Sequence, residues 1–157
     1  MIASPSQPRN ASTKVSIELA RQVLAGQPFS MLLGARITEY GPSGVTLELD
    51  ARPDLRQQHG YVHGGVLSYL IDNAITFAAG AVLGPDIVTA AISVEYLRPA
   101  TTDLSARAWV EHAGSSRAVV RCNVTTRAAD KSVLCALGQG SVMARRVPAV
   151  DAAVDKR

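Results

Sequence analysis

The amino-acid sequence predicts an α+β chain: one curled antiparallel sheet of about six strands wrapped around one long central helix. Three observations carry this expectation. Val66 to Ala79 contains neither Gly nor Pro, and Val66, Leu67, Leu70, Ile71, Ala74, Ile75, Phe77 and Ala78 cover most of its helical circumference, the mark of a buried helix. Six other segments are rich in β-branched residues or alternate at period two, and turn signals separate them. Long strands joined by short turns form an antiparallel meander, and a single sheet then has to curl around a single helix. Its outer face and edges need cover elsewhere, which favours a dimer.

Taken in order, residues 1 to 13 are low in hydrophobics and are expected to form a loose tail, with one domain over 14 to 147. From Lys14 to Ala25, Val15, Ile17, Leu19, Ala20, Val23 and Leu24 allow a short amphipathic helix, which Gly26 and Pro28 stop. Phe29, Met31, Leu32 and Leu33 make an apolar knot without an assignable period. Ala35 to Tyr40 and Val45 to Asp50 read as a hairpin turning at Gly41-Pro42-Ser43-Gly44. Ala51 to Tyr61 is a polar loop into the central helix. Gly84-Pro85-Asp86 ends that helix, and strands follow at Ile87 to Leu97, Leu104 to His112, Ala118 to Thr125 and Ser132 to Val147. Residues 148 to 157 are expected to be a second tail.

Composition narrows the function classes. Hydrophobic residues make up 47% and charged ones 18%, as in a globular chain. The net charge is only +3, and the 16 basic residues form no run beyond Arg145-Arg146, so no nucleic-acid partner is expected. No signal peptide is expected from the polar, proline-containing residues 1 to 13. Val66 to Leu83 is long enough to span a bilayer, but Asp72 and Asn73 at its midpoint and the strands after it argue against a membrane segment. Cys122 and Cys135 lack metal or CxxC spacing and read as reduced, buried thiols of a cytoplasmic protein. His59 and His63 would make a metal pair only on a helix, which Gly60 opposes, so no metal is expected. There is no GxSxG, P-loop, GxGxxG or HExxH motif.

The strongest functional signal is Asp72. At about 100° per residue it falls on one stripe with Gly65, Ser68, Thr76 and Ala79, on a helix otherwise apolar. A carboxylate there needs a partner, a proton or a purpose. His63-Gly64-Gly65 followed by Leu70-Ile71-Asp72-Asn73-Ala74 resembles the hot-dog-fold acyl-CoA thioesterases, particularly the phenylacetate-pathway-like (PaaI-like) group. Ile92-Ser93-Val94-Glu95-Tyr96-Leu97-Arg98-Pro99-Ala100 is similar to that family's strand after the helix. The element order agrees over roughly residues 15 to 147.

The physics of the motif is compatible with the resemblance. Gly64 and Gly65 allow close backbone approach where a helix starts, and the free amides and dipole there favour a developing negative charge. Asp72, on the face of Gly65, could attack a thioester carbon or activate water. The i, i+4 hydroxyl of Thr76 could hold that water.

The resemblance implies more: hydrolysis of acyl-CoA or aryl-CoA thioesters, with Asp72 as the catalytic carboxylate and Gly64 as the amide that polarises the carbonyl. It makes His63 and Gln57 positioning residues, and Thr76 or Thr89 the water-holding hydroxyl of two different branches. Gly65, Ser68, Thr89 and Arg98 are the expected substrate contacts. No cofactor is implied, since coenzyme A belongs to the substrate. A homodimer with shared sites follows, the carboxylate of one subunit facing the glycine loop of the other, with a homotetramer as further assembly. Alternatives remain at single residues. Asp72 could be a structural acid, His63 a cap or a proton-transfer partner, Gly64-Gly65 a plain helix start, and Arg98 solvated surface charge. At the level of function, a hot-dog dehydratase or hydratase and a non-catalytic acyl-CoA binder stand beside the thioesterase.

Overall fold

The computed structural model describes residues 16–129 and 131–145, so both expected tails lie outside the described residues. Helix α1 spans Ile17–Ala25 and starts where the Ser16 Oγ accepts from the Leu19 amide (3.2 Å), a side-chain cap that sets the boundary after the expected Lys14. Pro28 does more than stop α1. It opens α2, Pro28–Leu33, at the position where a missing N–H costs nothing, and Gly34 closes that helix with φ 78°. Six residues make less than two turns, which is why this segment shows no period.

The hairpin forms as expected from β1 (Arg36–Gly41) and β2 (Gly44–Leu49), and a short 3₁₀ turn, Pro53–Leu55, interrupts the polar loop. The central helix α3 runs Gly64–Leu83, followed by β3 (Ile87–Tyr96), β4 (Leu104–Ala113), β5 (Arg117–Ala128) and β6 (Lys131–Ala144). All pairings are antiparallel in the order β1-β2-β4-β5-β6-β3. The meander expected from the sequence therefore holds for β4, β5 and β6, whereas β3 lies at the far edge against β6. Period-two alternation reports which face a strand shows, not which strand it pairs with.

Register shifts at Ile37/Glu39, Thr89/Ala91, Val110/His112 and Val124/Thr125 bend four of the strand pairings. Such bulges raise local twist and curl the sheet over α3. Leu70, Ile71, Ala74 and Ile75 of α3 are fully buried, facing inward residues such as Leu47, Ala106, Val120 and Cys122. Burial pushes the Cys122 thiol up to about 12, so it stays neutral in the core. Although α3 is long and apolar enough to cross a bilayer, it is the packed core helix of this sheet.

Two glycines of β6 set how closely α3 sits. A Cβ at Gly138 would overlap the Ile71 side chain, and one at Gly140 would come within 2.8 Å of the Ala91 carbonyl oxygen. Strand propensity alone would favour valine at position 138. The overlap decides the sign: Gly138→Val is expected to destabilise the fold by about 1–3 kcal/mol through overpacking. A thermal melt should show a loss of roughly 3–10 °C, and an unchanged or raised Tm would contradict this account of the seat.

The two sheet edges are treated differently. At the β1 edge α1 packs alongside, with Arg21 Nε donating to the Ile37 carbonyl (3.0 Å). Among the described residues nothing pairs with the outer edge of β3. Ile92 and Tyr96, cross-strand from Gly140 and Ala136 and so on the side of α3, are 40% and 54% exposed.

Candidate active site

The half-buried stripe of α3 runs through Ser68, Asp72 and Thr76 and continues to Gly80, since Ala79, expected on it, is fully buried. Strand β3 runs antiparallel beside this stripe and supplies its partners. The Thr89 hydroxyl donates to Asp72 Oδ1 at 2.7 Å. The Thr76 hydroxyl lies 2.8 Å from the Asp72 carbonyl oxygen, to which it donates, and 2.9 Å from the Thr89 hydroxyl. Of the two threonines, Thr89 bonds the carboxylate, while Thr76 gives its proton to the Asp72 backbone carbonyl and leaves its oxygen beside that of Thr89. No cation pairs with Asp72 among the described residues, and no intrahelical amide is free at mid-helix to bond it.

At the other end of the stripe, His63 caps α3. Its Nδ1 accepts the Gly65 amide at 2.9 Å, so this nitrogen carries no proton and the neutral ring is protonated at Nε2. The Gly65 amide is thereby occupied. The neighbouring Gly64 amide has no partner among the described residues, which leaves one N–H at the positive end of the helix dipole. Gln57 braces the preceding loop: its Oε1 accepts the His59 amide, its backbone amide bonds the Tyr61 carbonyl (2.8 Å), and Gly60 turns with φ 83°. His59 sits in that loop, off any helix, and no cluster of three metal-ligating side chains occurs among the described residues. Gln57, Gly64 and Arg98 line one groove of about 360 Å³, where the exposed Arg98 bonds no carboxylate among the described residues.

Within a single chain the glycine amide and the carboxylate do not meet. Gly64 and Asp72 lie eight residues apart on α3, about 12 Å along the axis and about 80° apart around it. Reacting atoms have to approach to about 3–3.5 Å. A carbonyl held by the Gly64 amide is therefore out of reach of the Asp72 carboxylate of the same protomer.

A family model described as the thioesterase superfamily matches residues 59–131, which span the glycine loop, α3 and the strands up to the β5–β6 turn. The crystal structure of a thioesterase-superfamily protein superposes with a TM-score of 0.76 at 31% identity, over 85% of this chain and 100% of that one. The chain belongs to the thioesterase superfamily. The six-stranded sheet around α3 is accordingly its hot-dog fold. A mutant of the phenylacetic acid degradation protein PaaI from Thermus thermophilus superposes with a TM-score of 0.67 at 28% identity, covering 76% of this chain and 100% of that one. A candidate esterase of Mycobacterium tuberculosis is 46% identical over 54 residues, 34% of this chain and 39% of that protein. The chain matches between 39% and 59% of the length of such curated relatives.

Sequence reasoning missed Tyr96 in this thioesterase-superfamily chain. Its hydroxyl donates to the Gly64 carbonyl (3.0 Å) and lies 2.5 Å from the Ser68 hydroxyl, and its ring packs on Gly64, where a Cβ would come within 3.3 Å. Ser68, an expected substrate contact, is bonded to Tyr96. The usable signal was a tyrosine ending the strand that follows a glycine loop, but its partners lie 28 and 32 residues away. Tyr96→Phe keeps the ring and removes both bonds, a loss of about 1 kcal/mol. A Tm lowered by roughly 2–4 °C, with faster amide exchange at residues 64 to 66, is the expected result. Unchanged exchange there would mean that the tyrosine does not hold the loop.

Asn73, to which the sequence assigned no role, is also explained. Its Nδ2 lies within bonding distance of Tyr69 Oη (2.9 Å), Ser30 Oγ (3.2 Å) and Gln27 Oε1 (3.3 Å), fastening α2 to α3 next to the edge-to-face pair Phe29–Tyr69.

Proposed function

We propose that the chain hydrolyses acyl-CoA or aryl-CoA thioesters at sites shared between the two subunits of a homodimer. The observation that carries this reading is the Asp72 carboxylate, half-buried in mid-helix and held by Thr89 rather than by a cation. In the proposed reaction, the carbonyl oxygen accepts the Gly64 amide of one subunit, while Asp72 of the other acts as general base. Thr89 has already spent its proton on Asp72 Oδ1, so its oxygen remains an acceptor. A water can then donate to Thr89 and to the carboxylate and attack the carbonyl carbon. A proton passes from the water to Asp72, negative charge builds on the oxygen beside the amide, and as the C–S bond breaks Asp72 gives that proton to the departing sulfur, releasing the acid and the coenzyme A thiol.

The roughly 12 Å between Gly64 and Asp72 of one chain supports the shared site, because a second copy supplies the missing half. The open ten-residue edge of β3 and the exposed Ile92 and Tyr96 beside it suit pairing of two β3 strands about a twofold axis. His63 and Gln57 position the loop, and Arg98, free of carboxylates in the same groove, is the proposed contact for a coenzyme A phosphate. The phenylacetic acid degradation in the name of the Thermus neighbour supports including aryl groups among the substrates. Both cysteines are free and buried, in keeping with a cytoplasmic location.

The test is thiol release from short, medium, long and aryl acyl-CoAs, with the oligomeric state measured in the same buffer. Release of thiol by a dimer or larger assembly is expected. Binding without release would favour the non-catalytic binder, and turnover of enoyl or 3-hydroxyacyl thioesters in its place would favour the hydratase.

A further inference from the structure

A depression of about 770 Å³ lies on the outer face of the sheet and is walled by polar groups such as Arg36, Asp50 and Thr125. Its Arg36 and Asp50 neutralise one another through two bonds of 2.7 and 2.9 Å, and it is remote from α3. A second cavity, of about 290 Å³, is different in kind. Leu19 and Val23 of α1, Tyr40 of β1, Phe77 and Gly80 of α3 and Ile87 of β3 line it with the Gln27 amide, and no charged side chain does among the described residues. Thr76 forms part of the same wall. That threonine lies 2.9 Å from the Thr89 hydroxyl, which bonds the Asp72 carboxylate, and four residues on from Asp72, so the cavity opens one helical turn beyond the proposed base.

The seating of α1 gives the cavity its outer wall. Ala20 and Leu24 are buried to 1% and 4% exposure and anchor the helix. Leu19 and Val23, one residue earlier in each turn, stay 47% and 49% exposed and leave apolar surface facing the space. Burial holds the Tyr40 hydroxyl above the usual phenol range, so this wall carries no charge at neutral pH. Apolar surface next to a carboxylate, with nothing charged across from it, suits a hydrocarbon and rejects an ion.

We propose that this cavity is the acyl pocket of the site above, and that it selects uncharged, apolar acyl or aryl groups of medium size. A dry cavity of about 150 Å³ holds one benzene ring. By that measure about 290 Å³ takes a chain or fused ring of roughly eight to twelve carbon atoms. Short acyl groups leave it unfilled, and long ones have to emerge past α1. The inference rests on the thioesterase reading, and the experiment separates the two.

Gly80 gives direct access to the cavity. A Cβ there meets Ile87 Cδ1 at 3.4 Å, at the edge of ordinary contact, so a longer side chain extends into the space instead of into backbone. Gly80→Leu fills the cavity from the inner wall and Val23→Trp from the outer one. The measurements are kcat/KM for acetyl-, decanoyl-, benzoyl- and succinyl-CoA, and calorimetric binding of the non-hydrolysable thioether S-decyl-CoA. Wild type is expected to prefer decanoyl- and benzoyl-CoA over acetyl- and succinyl-CoA by at least roughly tenfold. Each variant is expected to lower the decanoyl-to-acetyl ratio by at least about tenfold and to weaken S-decyl-CoA binding to match. Circular dichroism identifies a variant that has not folded, and the surface position of Val23 keeps at least one informative. If no substrate releases thiol while S-decyl-CoA binding still weakens in the variants, the pocket stands and the hydrolysis reading falls. A ratio and an affinity that ignore both folded variants, or a wild type preferring succinyl-CoA, would overturn the pocket.

Discussion

Asp72→Asn is expected to lower kcat/KM for thioester hydrolysis by at least roughly a hundredfold, the scale of a positioned general base. Asparagine has nearly the same shape, and its side-chain oxygen can still accept the 2.7 Å bond from the Thr89 hydroxyl. What it lacks is the second carboxylate oxygen and the basicity to take a proton from water. Because no cation is paired with Asp72 among the described residues, the substitution strands no buried charge, and stability should change by less than about 1 kcal/mol. The experiment therefore reads two quantities, thiol release and Tm. A large loss of rate at constant Tm identifies a chemical role. A mutant as fast as wild type removes Asp72 from the mechanism, and a collapse of Tm together with rate would mark it as a structural acid.

Gly64→Pro is the second large effect, expected at about a hundredfold to a thousandfold in kcat, as for loss of an oxyanion donor. Gly64 is the first residue of α3, where proline is tolerated, and His63 before it has φ −61° and ψ 137°, already suitable for a residue preceding proline. The substitution deletes the unbonded N–H at that helix start and leaves the His63 cap on Gly65 in place. Because its Cβ also comes within 3.3 Å of the Tyr96 ring, Gly64→Ala, which adds the same Cβ but keeps the N–H, is the control and should retain most of the activity. Paired with Asp72→Asn, Gly64→Pro also tests the shared site. In a mixed dimer of the two inactive variants, a site built across the interface is intact once, from Asp72 of one protomer and Gly64 of the other. Random reassociation makes half of the dimers mixed, so about a quarter of wild-type activity should return. Sites confined to single chains predict no return at all, since each would carry one of the two defects.

The parts of this fold that could be read beforehand are those where one element declares itself. The apolar circumference of α3 and the alternation Val45, Leu47, Leu49 describe faces, and faces are periodic. Asp72 was visible for the same reason, as a carboxylate where the pattern demands hydrocarbon. What could not be read depends on two elements meeting. Thr89 reaches Asp72 across 17 residues and Tyr96 reaches Gly64 across 32, and both contacts follow from β3 lying along α3 at the sheet edge, a neighbour relation that no period encodes. The occupied Gly65 amide was equally hidden. It turns on a side-chain rotamer of His63, and the sequence offers two adjacent glycines with nothing to tell which N–H stays free.

The placement of β3 also sets an order of events during synthesis. Its hydrogen-bonding partner is β6, with Ile87 opposite Ala144, 57 residues further along the chain. While the ribosome is still extending β4 and β5, the strand that carries Thr89 and Tyr96 has no sheet to join. The helix, the hairpin and the β4–β5 pair can form before it. The carboxylate cluster is thus completed only once β6 has been made, and until then β3 trails as an unpaired apolar strand, the kind of segment that associates wrongly when chains are crowded. Slow elongation between residues 97 and 144 would lengthen that exposure, so the yield of active protein should respond to codon changes there even where the amino-acid sequence is untouched.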